Sequence, residues 1–90
     1  MRLDLFLKTS RLILRRSLAQ KFCDADLVKI NGQAAKSSKD IKAGDELEIK
    51  RGNRLLRVRI RQLPDKKQLA RADAADLYEI LSEEIVADEL

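Results

Sequence analysis

The sequence has no histidine or tryptophan, one cysteine, and only three aromatic side chains among its 90 residues. Without histidine there is no imidazole base, no histidine-assisted serine or cysteine nucleophile, and no histidine ligand for a metal ion. The single cysteine, Cys23, can form neither an internal disulfide nor a cysteine-rich zinc site. So few aromatic rings also argue against recognition of bases by stacking. We therefore expect a protein that is not an enzyme and that needs no cofactor and no metal.

Long apolar stretches are missing as well. No run approaches the roughly 20 apolar residues that cross a bilayer, and the N-terminal stretch is too short and too acidic for a secretory signal. We therefore expect a cytoplasmic protein with no membrane partner. A chain of 90 residues suits one domain, whose core is too small to leave room for a deep substrate pocket.

The charged residues are unevenly distributed along the chain. Residues 1–67 contain 18 basic and 8 acidic residues, a net charge of +10, whereas residues 68–90 contain one arginine and seven acidic residues, a net charge of −6. A basic body of this kind is typical of proteins that bind a polyanion. We predict a binding domain over 1–67 and an acidic helical tail over 68–90, and this tail would either mask the basic body or recruit a partner.

Apolar periodicity predicts two helices in the first 25 residues. Spacings of three and four residues indicate a short amphipathic helix at 2–8 and a second helix that begins after an N-cap at Ser10. In the second helix the apolar stripe would consist of Leu14, Leu18 and Phe22, with most basic residues off that stripe.

The remainder of the sequence predicts a small sheet followed by a helix, and hence an α+β fold. Alternation at 28–30 leads into Asn31-Gly32, the strongest short signal for a β-hairpin. Residues 46–50 and 56–63 also alternate, so we expect three or four short strands, mostly antiparallel. Asp73 is predicted to cap a tail helix with one apolar face, formed by Ala74, Leu77, Ile80 and Leu81.

The basic face of the first two helices is the main candidate interface. Lys8, Arg11 and Arg15 are spaced by four residues or fewer, and Arg16 is adjacent to them. Long cationic side chains bind phosphates, and arginine does so with a bidentate fork. A solvated helix usually mixes charges of both signs, whereas this stretch has Asp4 as its single acid before Asp24. We therefore favour polyanion binding over a merely solvated face.

Two weaker candidates lie in the predicted sheet. Arg57, Arg59 and Arg61 form a row roughly 13 Å long on one strand, which either contacts RNA or pairs with Glu46 and Glu48 across the sheet. The sequence does not decide between these two roles. The hairpin adds three further candidates, namely Lys29, Asn31 and Lys36.

These same stretches resemble the S4 RNA-binding domain, a family whose fold is two helices packed on a small sheet. The resemblance covers roughly residues 1–50 and is carried by Arg2-Leu3-Asp4-x-Phe6-Leu7-Lys8, Ser10-Arg11-Leu12, Arg15-Arg16-Ser17-Leu18-Ala19 and Val28-Lys29-Ile30-Asn31-Gly32. The chain departs from the family at Asp26, where many members have a glycine that suits a left-handed helix end. Its length and acidic tail are most similar to the RqcP group, the stand-alone S4 proteins of bacterial ribosome-associated quality control.

The resemblance to this group implies a function and a set of partners. The protein would bind obstructed large ribosomal subunits, contact large-subunit rRNA and peptidyl-tRNA, and hold the tRNA while a tail-adding quality-control factor appends alanine to the stalled chain. We expect it to act as a monomer. By motif match Asp4 would orient Arg2 or Arg16. The candidate RNA-binding residues are Arg2, Lys8, Arg11, Arg15, Arg16, Lys21, Lys29, Asn31 and Lys36.

Three other functions remain open at this point. A small S4 heat-shock protein also binds stalled large subunits, but it normally carries a longer basic C-terminal extension. A DNA-binding regulator would use residues 11–25 as a helix-turn-helix, although the next segment is predicted to be a strand and not a recognition helix. A protein adaptor would use the acidic tail as its docking surface, and this role is compatible with RNA binding.

Overall fold

The computed structural model describes residues 1–65 and 69–86. Within these residues the helices are α1 (Leu3–Thr9), α2 (Arg16–Asp24) and α3 (Arg71–Ala75). The strands are β1 (Val28–Ile30), β2 (Gln33–Ala34), β3 (Glu46–Arg51), β4 (Arg54–Ile60) and β5 (Tyr78–Ile85). They form one antiparallel sheet in the order β2-β1-β3-β4-β5, which confirms the predicted α+β class.

The core lies between the first two helices and one face of the sheet. Phe6 and Leu7 of α1 are fully buried together with alternate residues of the strands, among them Leu47 and Val58. Cys23 of α2 is also buried. Burial, and to a smaller extent the carboxylates of Asp4 and Asp24, raises the pKa of Cys23 to about 11. The thiol is therefore protonated at neutral pH and packs as an apolar group. No helix among the described residues is both long enough and apolar enough to span a bilayer.

The second helix begins later than predicted, and the N-cap assigned to Ser10 is wrong. Ser10 instead follows the last residue of α1, where its hydroxyl donates to the Leu7 carbonyl at 3.2 Å. Ile13 is fully buried, and its amide also donates to that carbonyl, at 3.1 Å. Arg11 has a φ of 64°, which no helix accepts. Burial of Ile13 thus keeps this stretch as a loop, and α2 starts at Arg16.

The apolar stripe predicted for α2 is also wrong. Leu14 is 72% exposed and Leu18 is 39% exposed, while Ala19 and Cys23 are the buried residues of the helix. Small side chains four residues apart allow α2 to approach α1 closely, since no bulky group separates the two backbones. The predicted stripe therefore fails at Leu14, which precedes α2, and at Leu18, whereas Phe22 is partly buried against the core.

The predicted hairpin is confirmed between β1 and β2. Asn31 and Gly32 connect the strands with φ values of 50° and 86°. Two consecutive residues with positive φ match the right-handed twist of the flanking strands, which explains the Asn-Gly pair.

The tail is mainly a strand, so the predicted tail helix is wrong beyond Ala75. α3 has only five residues, and β5 pairs antiparallel with β4 as a fifth strand. The open edge of β4 offers backbone hydrogen bonds that an isolated tail helix would not replace, and aromatic and β-branched residues such as Tyr78 and Ile80 suit a strand. The predicted boundary at residue 67 lies outside the described residues, and the division into domain and tail stays a prediction.

Asp26 occupies a position that favours glycine. It follows the end of α2 with a φ of 58°, and its amide donates to the Cys23 carbonyl at 3.0 Å. The Leu27 amide donates to the Phe22 carbonyl at 2.9 Å, which completes a Schellman ending.

We expect Asp26→Gly to raise the free energy of unfolding by about 0.5–1 kcal/mol, because a left-handed backbone is strained for a residue with a Cβ atom. Urea unfolding measures the change. Ala25→Gly is the control: Ala25 has a φ of −89°, so this variant should lose stability. A higher free energy of unfolding in both variants, or in neither, would contradict the explanation.

Candidate nucleic-acid interface

A buried carboxylate joins the beginnings of α1 and α2. Asp4 has no exposed side-chain surface. Its Oδ1 accepts hydrogen bonds from the Leu5 amide at 2.8 Å and from Arg2 Nε at 3.2 Å. Its Oδ2 accepts from Gln20 Nε2 at 2.8 Å and from Arg2 Nη2 at 3.3 Å, and Arg16 Nε lies 3.3 Å away. We call Arg2, Asp4, Arg16 and Gln20 the Asp4 cluster.

Asp4 is ionised in the folded protein. Burial by itself raises its pKa, but hydrogen bonds from Gln20, Arg2 and Arg16 outweigh that effect, so the pKa of Asp4 is lowered. Two cations around one anion leave the cluster with a net charge of +1. The Arg2 and Arg16 side chains remain 49% and 43% exposed, so this charge is available to a ligand.

The two arginines keep donors that Asp4 does not use. Arg16 approaches the carboxylate with Nε at 3.3 Å, and a guanidinium carries four further N–H donors on its two Nη groups. Arg2 uses Nε and Nη2 and retains Nη1. Donors held in place by a buried anion lose less conformational freedom on binding a phosphate than free arginines do. The structure thus places Asp4 against both predicted partners, while RNA contact itself stays a prediction.

Local backbone structure explains why these groups meet. The amides of Leu3 and Asp4 donate to the carbonyls of Lys39 and Ser37, at 2.8 and 3.0 Å, which anchors the start of α1 to the loop after the hairpin. At the other helix, the first turn of α2 contains no acid and begins with Arg16. A cation at a helix N-terminus opposes the helix dipole, so pairing with Asp4 offsets this cost and the same end attracts anions.

The other predicted residues of the helical face differ in availability. Arg15 and Lys21 are exposed, and neither is recorded in an ion pair among the described residues. One donor of Arg11 is already in use, since its Nη2 donates to the Leu69 carbonyl at 3.2 Å. Lys8 is half-buried on α1. The structure therefore leaves Arg15, just before α2, and Lys21, on α2, exposed, and it draws Arg11 toward the C-terminal segment.

The Asn31 side chain makes two hydrogen bonds within the protein. Its Nδ2 donates to Asp45 Oδ1 at 3.2 Å, and its Oδ1 accepts from the Glu46 amide at 3.0 Å. These bonds tie the hairpin to the turn before β3. Lys29 and Lys36 are exposed, and Lys36 helps to line an open groove of about 560 Å³ beside β2.

The arginines of β4 and the residue after it pair with acids. Arg57 Nε lies 3.3 Å from Glu48, and Arg59 contacts Glu79 of β5 at 3.0 Å and Glu46 at 3.8 Å. A further ion pair joins Arg61 and Glu79 at 3.6 Å. Of the two roles open for this row, the structure favours cross-strand pairing. Within the described residues the acidic tail therefore pairs with β4 and not with the Asp4 cluster.

Gln20 is the residue of this site that sequence reasoning missed. It lies four residues after Arg16, on the same face of α2, so its spacing was a usable signal. Glu79 was missed because it was assigned to a helix and not to a strand beside β4. No group of three histidine, cysteine, aspartate or glutamate side chains in residues 1–65 and 69–86 is placed to hold a metal ion.

Sequence comparison finds relatives along most of the chain. A family model described as S4 domain matches residues 1–47. A Bacillus subtilis (strain 168) protein named RQC P-site tRNA stabilizing factor is 48% identical over 84 residues, which cover 93% of this chain and 95% of that protein. The protein of the same name from Streptococcus pneumoniae (strain ATCC BAA-255 / R6) is 47% identical over 83 residues, 92% of each chain.

Two solved structures share the fold. Heat Shock Protein 15 of Vibrio cholerae, solved as a trimer, matches with a TM-score of 0.83 and 29% identity, over 91% of this chain and 82% of that one. The solution structure of the hypothetical protein HP1423 matches with a TM-score of 0.79 and 34% identity, over 93% and 100% of the two chains.

Proposed function

Since the chain belongs to the S4 domain family, as its motifs predicted, we propose that it binds RNA on the large ribosomal subunit in bacterial ribosome-associated quality control. In this role it contacts large-subunit rRNA and peptidyl-tRNA on an obstructed subunit, and it stabilises the tRNA while a tail-adding factor extends the stalled chain with alanine. The observation that carries the proposal is the Asp4 cluster, whose two half-exposed arginines keep unused donors. The name of the relatives, RQC P-site tRNA stabilizing factor, supports the same role.

The proposed mechanism is binding without bond-making chemistry. Arg2 and Arg16 donate to phosphate oxygens in a geometry that Asp4 sets in advance, while Arg15 and Lys21 extend the positive surface along α2. Phosphate contacts position a protein on RNA but do not read its sequence, so the shape of the subunit with its tRNA supplies the specificity. In this proposal the protein works in the cytoplasm as a monomer and needs no cofactor.

Cosedimentation with purified large subunits that carry peptidyl-tRNA tests the proposal. We expect Arg16→Ala to weaken binding by about tenfold or more, because it removes charge-assisted hydrogen bonds to phosphate. Arg71→Ala is the matched control, since Arg71 is exposed on α3, and it should bind within about twofold of the unchanged protein. Wild-type cosedimentation of Arg16→Ala would exclude the assigned site.

A second candidate function is binding and recycling of stalled large subunits, as in the small S4 heat-shock protein. The structural match to Heat Shock Protein 15 favours it. The same experiment separates the two functions when it is repeated after the tRNA has been removed from the subunits. Binding that depends on the tRNA supports tRNA stabilisation, whereas equal binding to both kinds of subunit supports the heat-shock-like function.

A further inference from the structure

We propose that Gln20 is a positioning residue of the RNA-binding site, which satisfies the buried Asp4 carboxylate and thereby leaves Arg2 and Arg16 turned toward RNA. This inference rests on the proposed RNA-binding function and concerns how the same site is built.

Gln20 makes the shortest side-chain contact with Asp4. Its Nε2 lies 2.8 Å from Asp4 Oδ2, compared with 3.2–3.3 Å for the nitrogens of Arg2 and Arg16. An ionised carboxylate only accepts hydrogen bonds, so the glutamine amide must be the donor. Arg16 and Gln20, one helical turn apart, meet the same oxygen and together set the position of α2 against α1.

The buried position of Asp4 explains why this donor matters for the arginines. A carboxylate oxygen without exposed surface needs protein donors, because an unsatisfied buried charge is costly. Without Gln20, Oδ2 would keep only the longer contacts with Arg2 Nη2 and Arg16 Nε, both at 3.3 Å, and the two guanidinium groups would turn inward to shorten them. Those groups would then be lost to phosphate. A single neutral amide therefore keeps both arginines available.

The neutral charge of glutamine is the second part of the argument. Gln20 adds a donor to Asp4 without adding a cation, so the cluster keeps one negative and two positive groups. The hydrogen bond from Gln20 also lowers the pKa of Asp4 more than those from Arg2 and Arg16. Gln20 thus stabilises the ionised form of Asp4 without adding a charge to the cluster.

Two substitutions test the positioning role by affinity for purified large subunits that carry peptidyl-tRNA. Gln20→Ala removes the donor and should lower affinity about three- to tenfold. Gln20→Glu keeps the length of the side chain but repels Asp4, and it should bind more weakly than Gln20→Ala. Gln62→Ala, at an exposed glutamine after β4, is the matched control and should change nothing.

Two NMR measurements give readouts that a merely structural role would not move. In Gln20→Ala the pKa of Asp4, followed by carboxyl carbon shifts, should rise, and the Arg16 Nε–H signal should shift. An unchanged Asp4 pKa with wild-type affinity in Gln20→Ala would overturn the inference, as would wild-type affinity of Gln20→Glu. If Arg16→Ala loses binding while Gln20→Ala does not, only the positioning role falls. If neither variant loses binding, the proposed site falls as well.

Discussion

A chain that ends at Leu69 is expected to be unfolded at 25 °C, even though the removed segment was predicted to be an acidic helical tail outside the binding domain. The deletion removes Ala74 and Leu77, which are 1% and 2% exposed in the core. It also removes β5, and with it the backbone hydrogen bonds between β5 and β4. Burial of one leucine contributes about 1.5–3 kcal/mol, and total stability of a small domain is only about 5–15 kcal/mol. Loss of a whole strand in addition should exceed the stability that remains.

Far-ultraviolet circular dichroism and urea unfolding measure this effect. The control is the pair of substitutions Glu83→Gln and Glu84→Gln, which remove acidic charge from the same segment but keep the strand. Their cost should stay below about 1 kcal/mol, because Glu83 takes part only in an exposed ion pair with Arg54 at 3.6 Å. Cooperative unfolding of the shortened chain at the wild-type midpoint would show that β5 is not part of the folding unit. If the shortened chain is unfolded as expected, its loss of RNA binding reports unfolding and not a role of the tail in recruitment.

Asp4→Ala is expected to lower the free energy of unfolding by about 2–3 kcal/mol and to weaken binding to large subunits by more than tenfold. Removing one partner of a fully buried ion pair costs about 3–5 kcal/mol. The cost is smaller here because Arg2 and Arg16 are half-exposed, so water can hydrate their guanidinium groups when Asp4 is removed. The loss of binding follows because the two arginines no longer share an anchor. Urea unfolding and cosedimentation measure the two effects, and Asp24→Ala, at an exposed position at the end of α2, is the control.

The same variant should change how stability depends on pH. The pKa of Asp4 is lowered in the folded protein, so its ionised form stabilises the fold above the ordinary aspartate value of about 3.9. That contribution is lost progressively as the pH falls below about 4, where the unfolded chain binds the proton first. Urea midpoints measured from neutral to acid pH should therefore fall less steeply for Asp4→Ala than for the unchanged protein. Parallel curves below pH 4 would contradict the assignment.

Local signals in the sequence predicted the parts of the fold that depend on local chemistry. The Asn31-Gly32 hairpin, the strand at Glu46–Arg51 and the helix at Leu3–Thr9 follow from turn preference and periodicity alone. The start of α2 and the nature of the tail do not. Burial of Ile13 ends one helix and delays the next, and the open edge of β4 turns the tail into a strand. Both outcomes are tertiary effects that override periodicity.

The candidate site was predictable to a similar degree. The juxtaposition of Asp4 with Arg2 or Arg16 was expected from a family resemblance. The spacing of Gln20 from Arg16 indicates a shared helix face, but it does not show that Asp4 lies opposite that face. The arginines at 57, 59 and 61 were ambiguous because, in the part of the chain that the structure describes, two of their four ion pairs are made with Glu79 of β5. Once Glu79 is placed between Arg59 and Arg61, the preference for internal pairing over RNA contact follows from distance.

The pairing of β5 with β4 also decides where positive charge is left uncompensated. Glu79 lies 3.0 Å from Arg59 and 3.6 Å from Arg61, and Glu83 lies 3.6 Å from Arg54, so acids and bases offset each other along these two strands. Residues 1–36, which contain the first two helices and the hairpin, have eight basic and only three acidic residues. A polyanion is therefore attracted to the helices and the hairpin more than to β4 and β5, over about 10 Å at 0.1 M salt.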